Sequence, residues 1–170
     1  MIFRKTVIDD LKTVMKIIED GKNQLKKLGI NQWQNGYPDE KDILKDIENN
    51  ESYVVEISGQ IAGTAVISFK KEKNYEKIEK GKWLTNEKYC VIHRIAVDKD
   101  MKNKNIATEI FKYAEKICVE KNINSIKIDT HEENEPMKSF LIKNGFICCG
   151  IIYLETGEKR IAFEKVFNKK

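Results

Sequence analysis

Proline, glycine and arginine are all scarce in this chain. There are two prolines and nine glycines in 170 residues, and arginine occurs only as Arg4, Arg94 and Arg160. So little proline and glycine excludes collagen-like and proline-rich architectures. With 41% hydrophobic residues, a disordered reading fails as well, because enough apolar surface is present to offset chain entropy. Long apolar runs are lacking too: none approaches the roughly 20 residues of a membrane-spanning helix, so no membrane association is expected. The opening stretch, MIFRKTVIDDLK, is charged and patterned and suits neither a signal peptide nor a transit peptide. The expectation is one soluble, cytoplasmic domain spanning residues 1–170.

A continuous stripe of one charge is also missing. The net charge of +4 comes almost wholly from lysine, interleaved with carboxylates as in KKEKNYEKIEKGK (70–82). Mixed signs of this kind make a solvated surface, and no nucleic-acid partner is expected. Four cysteines (Cys90, Cys118, Cys148 and Cys149) lie in apolar stretches, at spacings that suit neither a disulfide framework nor a zinc site. They read as reduced core residues, and no metal site is expected.

Hydrophobic periodicity supplies the elements. A strand at 2–7 leads to Asp9 and Asp10 at a helix start, followed by Leu11, Val14, Met15 and Ile18 at helical spacing. A second helix opens near Pro38, read as a first-turn position, with Ile43, Leu44 and Ile47 on one face. Between them, GINQWQNGYP reads as a loop or lid. Residues 52–69 are two strands around Ser58-Gly59-Gln60. YCVIHRIAV (89–97) is apolar on both faces and therefore a central strand. A turn at 98–104 feeds a helix over about 105–121, with Ile106, Ile110, Ala114 and Ile117 one turn apart. SIKID (125–129) is a strand. Glu135 and Pro136 open a helix that Asn144-Gly145 ends, and ICCGIIYL and RIAFEKVF close the chain as a hairpin. The order β-α-α-β-β-β-α-β-α-β-β is that of an α/β protein with a mixed sheet.

One junction carries chemistry. A strand running through a short polar turn into a long helix presents unpaired N–H groups and the positive end of the helix dipole, which favour a phosphate. Lys102 and Lys104 add charge there, and Asn103 and Asn105 tolerate positive φ. The same spacing also fits an ordinary strand-to-helix connection.

The stretch IHRIAVDKDMKNKNIA (92–107), with NEPMKSFLIKNGF (134–146) after it, resembles the GNAT superfamily of N-acetyltransferases. That family's [QR]-x-x-G-x-[GA] helix opening falls on Lys102 to Ala107, and its later landmarks fall on Asn134 and on Gly145-Phe146. The order of elements matches from residue 1 to about 167. Two positions depart from the pattern: Lys102 replaces Gln or Arg and lacks a planar fork of donors, and Asn105 replaces the first motif glycine.

The resemblance implies a GNAT-like mixed sheet, mostly antiparallel, with splayed parallel central strands flanked by helices. It implies acetyl-CoA as cofactor, held by Ile95, Ala96 and Val97 along the thioester and pantetheine arm. Lys102, Asn103, Lys104, Asn105, Ile106, Ala107 and Thr108 would hold the pyrophosphate, with Asn134 as a further contact. Direct attack by an amine needs a base, and His93 on the central strand is the best placed, against the alternative of a satisfied core histidine. Arg94 reads as a structural ion pair on the opposite face, and His131 as a helix-entry residue. The family's thiolate-protonating tyrosine falls on Leu141, which leaves the acid to Tyr89, Tyr153 or water.

Trp33, Tyr37, Trp83 and Tyr89 are acceptor-site candidates, since aromatics in polar loops line pockets or pin loops to a core. The implied activity is acetyl transfer to a primary amine of a small molecule or a peptide N-terminus, by a monomer or a homodimer. The alternative is a non-catalytic coenzyme A-binding or interaction module with a degenerate phosphate loop.

Overall fold

A computed structural model describes residues 1–101 and 105–167. The chain divides into two compact units, Met1–Ser68 with Ile92–Ala114, and Phe69–Val91 with Glu115–Lys170. Its elements in order are β1 (Ile2–Lys5), α1 (Leu11–Lys27), α2 (Glu40–Glu48), β2 (Ser52–Ile57), β3 (Gln60–Ser68), β4 (Cys90–Val97), α3 (Ile106–Glu120), β5 (Ser125–His131), α4 (Glu135–Lys143), β6 (Ile147–Tyr153) and β7 (Lys159–Val166). This is the order read from the sequence: a mixed α/β fold, mostly antiparallel, with one parallel strand pair and four α-helices among the described residues.

In the first unit the strands follow the order β1-β2-β3-β4. The β2–β3 hairpin turns at Ser58 and Gly59, with φ of 52° and 77°. Two consecutive left-handed residues match the twist of the flanking strands. α1 and α2 bury Val14, Ile17, Ile18 and Ile43 against Val54 of β2 and Ala96 of β4. Two boundaries differ from expectation and one agrees. β1 stops at Lys5, two residues earlier than expected, although the Thr6 N–H still donates to the Ser52 carbonyl at 3.0 Å and the two hydroxyls pair at 2.7 Å. Asp9 and Asp10 do stand at the helix start: they lie in a single 3-10 turn, Asp10 accepts from the Val7 N–H at 2.9 Å, and Asp10 is the cap position of α1, which begins at Leu11. Pro38 lies outside α2, whose cap is Asp39, accepting from the Asp42 N–H at 3.0 Å.

In the second unit the order is β4-β5-β7-β6, and the parallel ladder sets Cys90 opposite Ile126 and Val91 opposite Lys127. The polar stretch before β4 is tied down at several points. Glu79 bridges Ile151, Trp83 Nε1 donates to the Tyr75 carbonyl at 2.9 Å, and the Leu84 N–H donates to the buried Glu164 at 2.6 Å. α4 is capped by the Asn134 side chain and ends at Asn144, with Gly145 left-handed at φ 85°. Cys90, Cys118 and Cys149 are buried, whereas Cys148 is exposed. Adjacent strand residues face opposite ways, so Cys148 and Cys149 cannot both enter the core. No helix among the described residues is long and apolar enough to cross a membrane.

Candidate active site

The passage from β4 to α3 lies within the first unit. β4 ends at Val97, and the Asp98 N–H donates to the Ala62 carbonyl of β3 at 2.9 Å, which holds the strand end in place. Asp98 then builds the turn, accepting at its side chain from Asp100 N–H (2.8 Å) and at its carbonyl from Met101 N–H (3.0 Å). Lys102, Asn103 and Lys104 lie outside the described residues. Asn105 is left-handed, with φ 54°, and its carbonyl accepts from the Glu109 N–H at 3.0 Å. It thus occupies the half-helical position ahead of α3, at the place where the motif carries glycine. The amides of Ile106, Ala107 and Thr108 follow as first-turn donors with no intrahelical acceptor.

The helix start is seated by close packing. Ile106 is buried at 2% exposure. A Cβ on Gly63 of β3 would lie 3.1 Å from Ile106 Cγ2 and 3.2 Å from the Ala96 carbonyl oxygen. Only a hydrogen at position 63 leaves α3 this close to the strands. At the residue immediately before α3, the left-handed conformation that glycine adopts most readily is taken by asparagine.

β4 is irregular at its centre. Arg94 has φ 49°, a left-handed conformation rare for a bulky residue, in the middle of a strand. It breaks the two-residue alternation: His93, Arg94 and Ile95 are all half-buried, between buried Ile92 and buried Ala96. Arg94 Nη1 donates to Asp46 Oδ1 at 3.2 Å and lies 3.1 Å from Oδ2. The Tyr37 ring lies 5.2 Å from the guanidinium carbon. Arg94 Nε and Asp46 Oδ2 are both buried and have no hydrogen-bond partner among the described residues.

Burial pushes the Asp46 carboxyl up to about 6, against the opposing pull of Arg94 first and His93 second, while Glu51 and Asp42 push it further up. The short ion pair and the raised value point in opposite directions. Burial prevails because one guanidinium nitrogen is shared by both oxygens and one of these has no hydrogen bond of its own. Asp46 was not singled out in the sequence. Its signal was an acidic residue three positions after Ile43 and one before Ile47, on the apolar face of α2.

The other candidates divide between the units. Trp33, left-handed at φ 63°, packs with the α1–α2 core, and Tyr37 is 41% exposed. Trp83 and Tyr89 are in the second unit, their rings 4.4 and 4.2 Å from Lys127 Nζ, and Tyr89 Oη accepts from the Glu72 N–H at 3.2 Å. Asn134 is buried, its side-chain carbonyl accepting from the Met137 N–H at 3.1 Å. His131 Nδ1 accepts from the Glu133 N–H at 3.2 Å, in the turn that enters α4. Leu141 is fully buried. No group of three metal-ligating side chains is present among the described residues.

The model of the acetyltransferase (GNAT) family matches residues 18–146. An acetyltransferase of the GNAT family from Streptococcus agalactiae 2603 shares 29% identity over 99% of this chain and 96% of its own, with a TM-score of 0.90. One from Listeria monocytogenes 4b F2365 shares 23% over 98% and 94%, with a TM-score of 0.76. The PaiA N-acetyltransferase of Thermoplasma acidophilum, solved in complex with coenzyme A, shares 20% over 98% of each chain, with a TM-score of 0.72. No curated protein sequence matches the chain.

Proposed function

The chain belongs to the acetyltransferase (GNAT) family, and from that premise we propose that it transfers an acetyl group from acetyl-CoA directly to a primary amine, of a small molecule or of a peptide N-terminus. The observation that carries this reading is the β4-to-α3 passage. There a left-handed Asn105 opens a 15-residue helix at the motif position, with Gly63 allowing the close packing beneath it.

Acetyl-CoA, when bound, supplies an acetyl group activated as a thioester. The first-turn amides of Ile106, Ala107 and Thr108 hold the pyrophosphate, together with Asn105 and the charges and donors of Lys102, Asn103 and Lys104. Backbone groups of Ile95, Ala96 and Val97 hold the arm, and the N–H at Ile95 polarises the acetyl carbonyl where negative charge develops. Asn134 is the further cofactor contact that the family resemblance implies. His93 takes the proton from the attacking amine. Leu141 offers no proton, and a thiol leaving group with a pKa of roughly 8.5 would need no side-chain acid. Of the acceptor candidates in the first unit, Tyr37 leads Trp33 through its exposed ring; Trp83 and Tyr89 are the candidates of the second unit.

Titration of the purified protein with acetyl-CoA, followed by a thiol-release assay over a panel of amines, tests the reading. Tight binding with thiol release on at least one amine is the expected result. Lys102→Glu and Lys104→Glu should each weaken binding on the order of tenfold, since a reversed charge acts locally on the pyrophosphate. Binding without thiol release on any amine would make the chain a coenzyme A-binding module instead.

A further inference from the structure

A left-handed arginine in the middle of a strand has to be held there. We propose that Asp46 is a positioning residue for acetyl transfer: by gripping Arg94 from α2 it fixes the left-handed turn in β4 that aims the His93 side chain and the Ile95 amide. The inference rests on the acetyltransferase reading given above, and it concerns residues of the first unit alone.

Three observations converge on it. First, Arg94 stands between His93 and Ile95, the proposed base and the proposed carbonyl-polarising amide, so its φ of 49° sets the direction of both neighbours. In a regular strand residues 93 and 95 would share one face and residue 94 the other, and the left-handed residue between them breaks that alternation. Second, nothing local favours this conformation. Arginine has no short polar side chain to bond its own backbone, unlike asparagine, and β4 has no glycine. The restraint therefore comes from outside the strand. It consists of the Asp46 carboxylate, with Arg94 Nη1 at 3.2 Å from Oδ1 and 3.1 Å from Oδ2, and the Tyr37 ring 5.2 Å from the guanidinium carbon.

Third, the pair is poorly built as a device for stability. Its side chains are only 16% and 8% exposed, yet Arg94 Nε and Asp46 Oδ2 have no hydrogen-bond partner among the described residues. A buried pair with unfilled donors and acceptors is a weak source of stability. Strained backbone persists where surrounding structure over-determines it, and it clusters at functional sites.

The test uses the full chain with Asp46→Asn, the double variant Asp46→Asn/Arg94→Ala and the double variant Asp46→Asn/Arg94→Gly. Glycine adopts positive φ without a restraint, whereas alanine does not. Backbone chemical shifts and HN–Hα couplings of cofactor-free protein read the conformation at residue 94. Turnover and KM are measured on an amine that the wild type acetylates.

Asp46→Asn should lower kcat on the order of tenfold, with KM for acetyl-CoA changing by less than about threefold, as expected when reacting groups are misaligned but binding is spared. Asp46→Asn/Arg94→Ala should lose the left-handed signature and remain slow. Asp46→Asn/Arg94→Gly should keep that signature and recover most of the lost turnover. A merely structural pair would not be rescued by glycine in preference to alanine. The inference is overturned if residue 94 stays left-handed in the alanine double variant, or if the glycine variant is as slow as the alanine one. Absence of thiol release by the wild type would instead overturn the acetyltransferase reading, and the spectroscopic comparison decides the restraint separately.

Discussion

Asp46 should make the protein less stable as pH rises, and the Asp46→Asn substitution should abolish the effect. The Asp46 carboxyl is raised from its ordinary 3.8 to about 6, because burial penalises the charge more than Arg94 and His93 favour it. Between these two values the folded chain keeps a proton that the unfolded chain has released. Stability contributed by this group is therefore full below about pH 4 and is lost as pH rises through 6. At 1.36 kcal/mol per pH unit, the interval corresponds to about 3 kcal/mol.

The amide that replaces the carboxyl in Asp46→Asn cannot titrate. Arg94 faces a neutral partner both in the variant and in the protonated wild type, so that loss cancels in the comparison. The other charged groups around the carboxyl, Arg94 and His93 on β4, Asp42 on α2 and Glu51 after it, are unchanged. Urea unfolding of both proteins at pH 4, 5, 6 and 7 and constant ionic strength gives the difference directly. The two should nearly coincide at pH 4, with Asp46→Asn more stable by about 3 kcal/mol at pH 7, or roughly 6–12 °C in Tm for a domain of this size. A flat difference, or a wild type that gains on the variant as pH rises, would mean that the ion pair prevails over burial, and the reasoning would fail.

His93→Gln should reduce kcat on the order of 10² while leaving acetyl-CoA affinity unchanged in a direct titration, the usual scale of a lost general base. Gly63→Ala should destabilise by about 1–3 kcal/mol, because the new methyl meets Ile106 Cγ2 at 3.1 Å and backbone oxygen at 3.2 Å; thermal unfolding reads it. Asn105→Gly should be neutral or slightly stabilising and bind acetyl-CoA at least as well as the wild type, whereas Asn105→Ala should cost about 1 kcal/mol at φ 54°. Gly81→Ala should unfasten the segment before β4, since a Cβ there would lie 2.0 Å from the Cys149 carbonyl oxygen; faster proteolysis near Lys80 and Lys82 is the readout.

Much of the fold was legible because its signals are local. Ser58-Gly59 turns the hairpin, Asn144-Gly145 ends α4, and Ile106, Ile110 and Ala114 mark the buried face of α3. The errors share one cause, competition from contacts that local patterns do not encode. β1 ends at Lys5, and Thr6 beyond it is tied by hydroxyl and backbone N–H to Ser52, 46 residues away. Pro38 fits a helix start equally well from just outside it, and Asp39 supplies the cap. The Arg94 ion pair was expected, but its partner lies 48 residues earlier and could not be named. Nor does any residue type announce a left-handed arginine. A third such hidden arrangement is Lys127, buried between the Trp83 and Tyr89 rings, where burial holds its ammonium group below the ordinary lysine value.

Two left-handed residues that are not glycine bracket the passage carrying the proposed chemistry: Arg94 at φ 49° before it and Asn105 at φ 54° at its end. They reach the same backbone region by different physical routes. Asparagine tolerates it locally, through a short polar side chain, so position 105 should be nearly insensitive to changes elsewhere in the chain. Arginine has no such tolerance and depends on a carboxylate from another helix, so position 94 is only as fixed as the docking of α2. That docking rests on Ile43, at 2% exposure, in the α1–α2 core. Loosening α2 should therefore disturb the geometry around His93 while leaving the proposed phosphate site intact. On the proposed mechanism the motif position holds the cofactor, and the carboxylate 48 positions before Arg94 sets how well the proposed reacting groups are aimed.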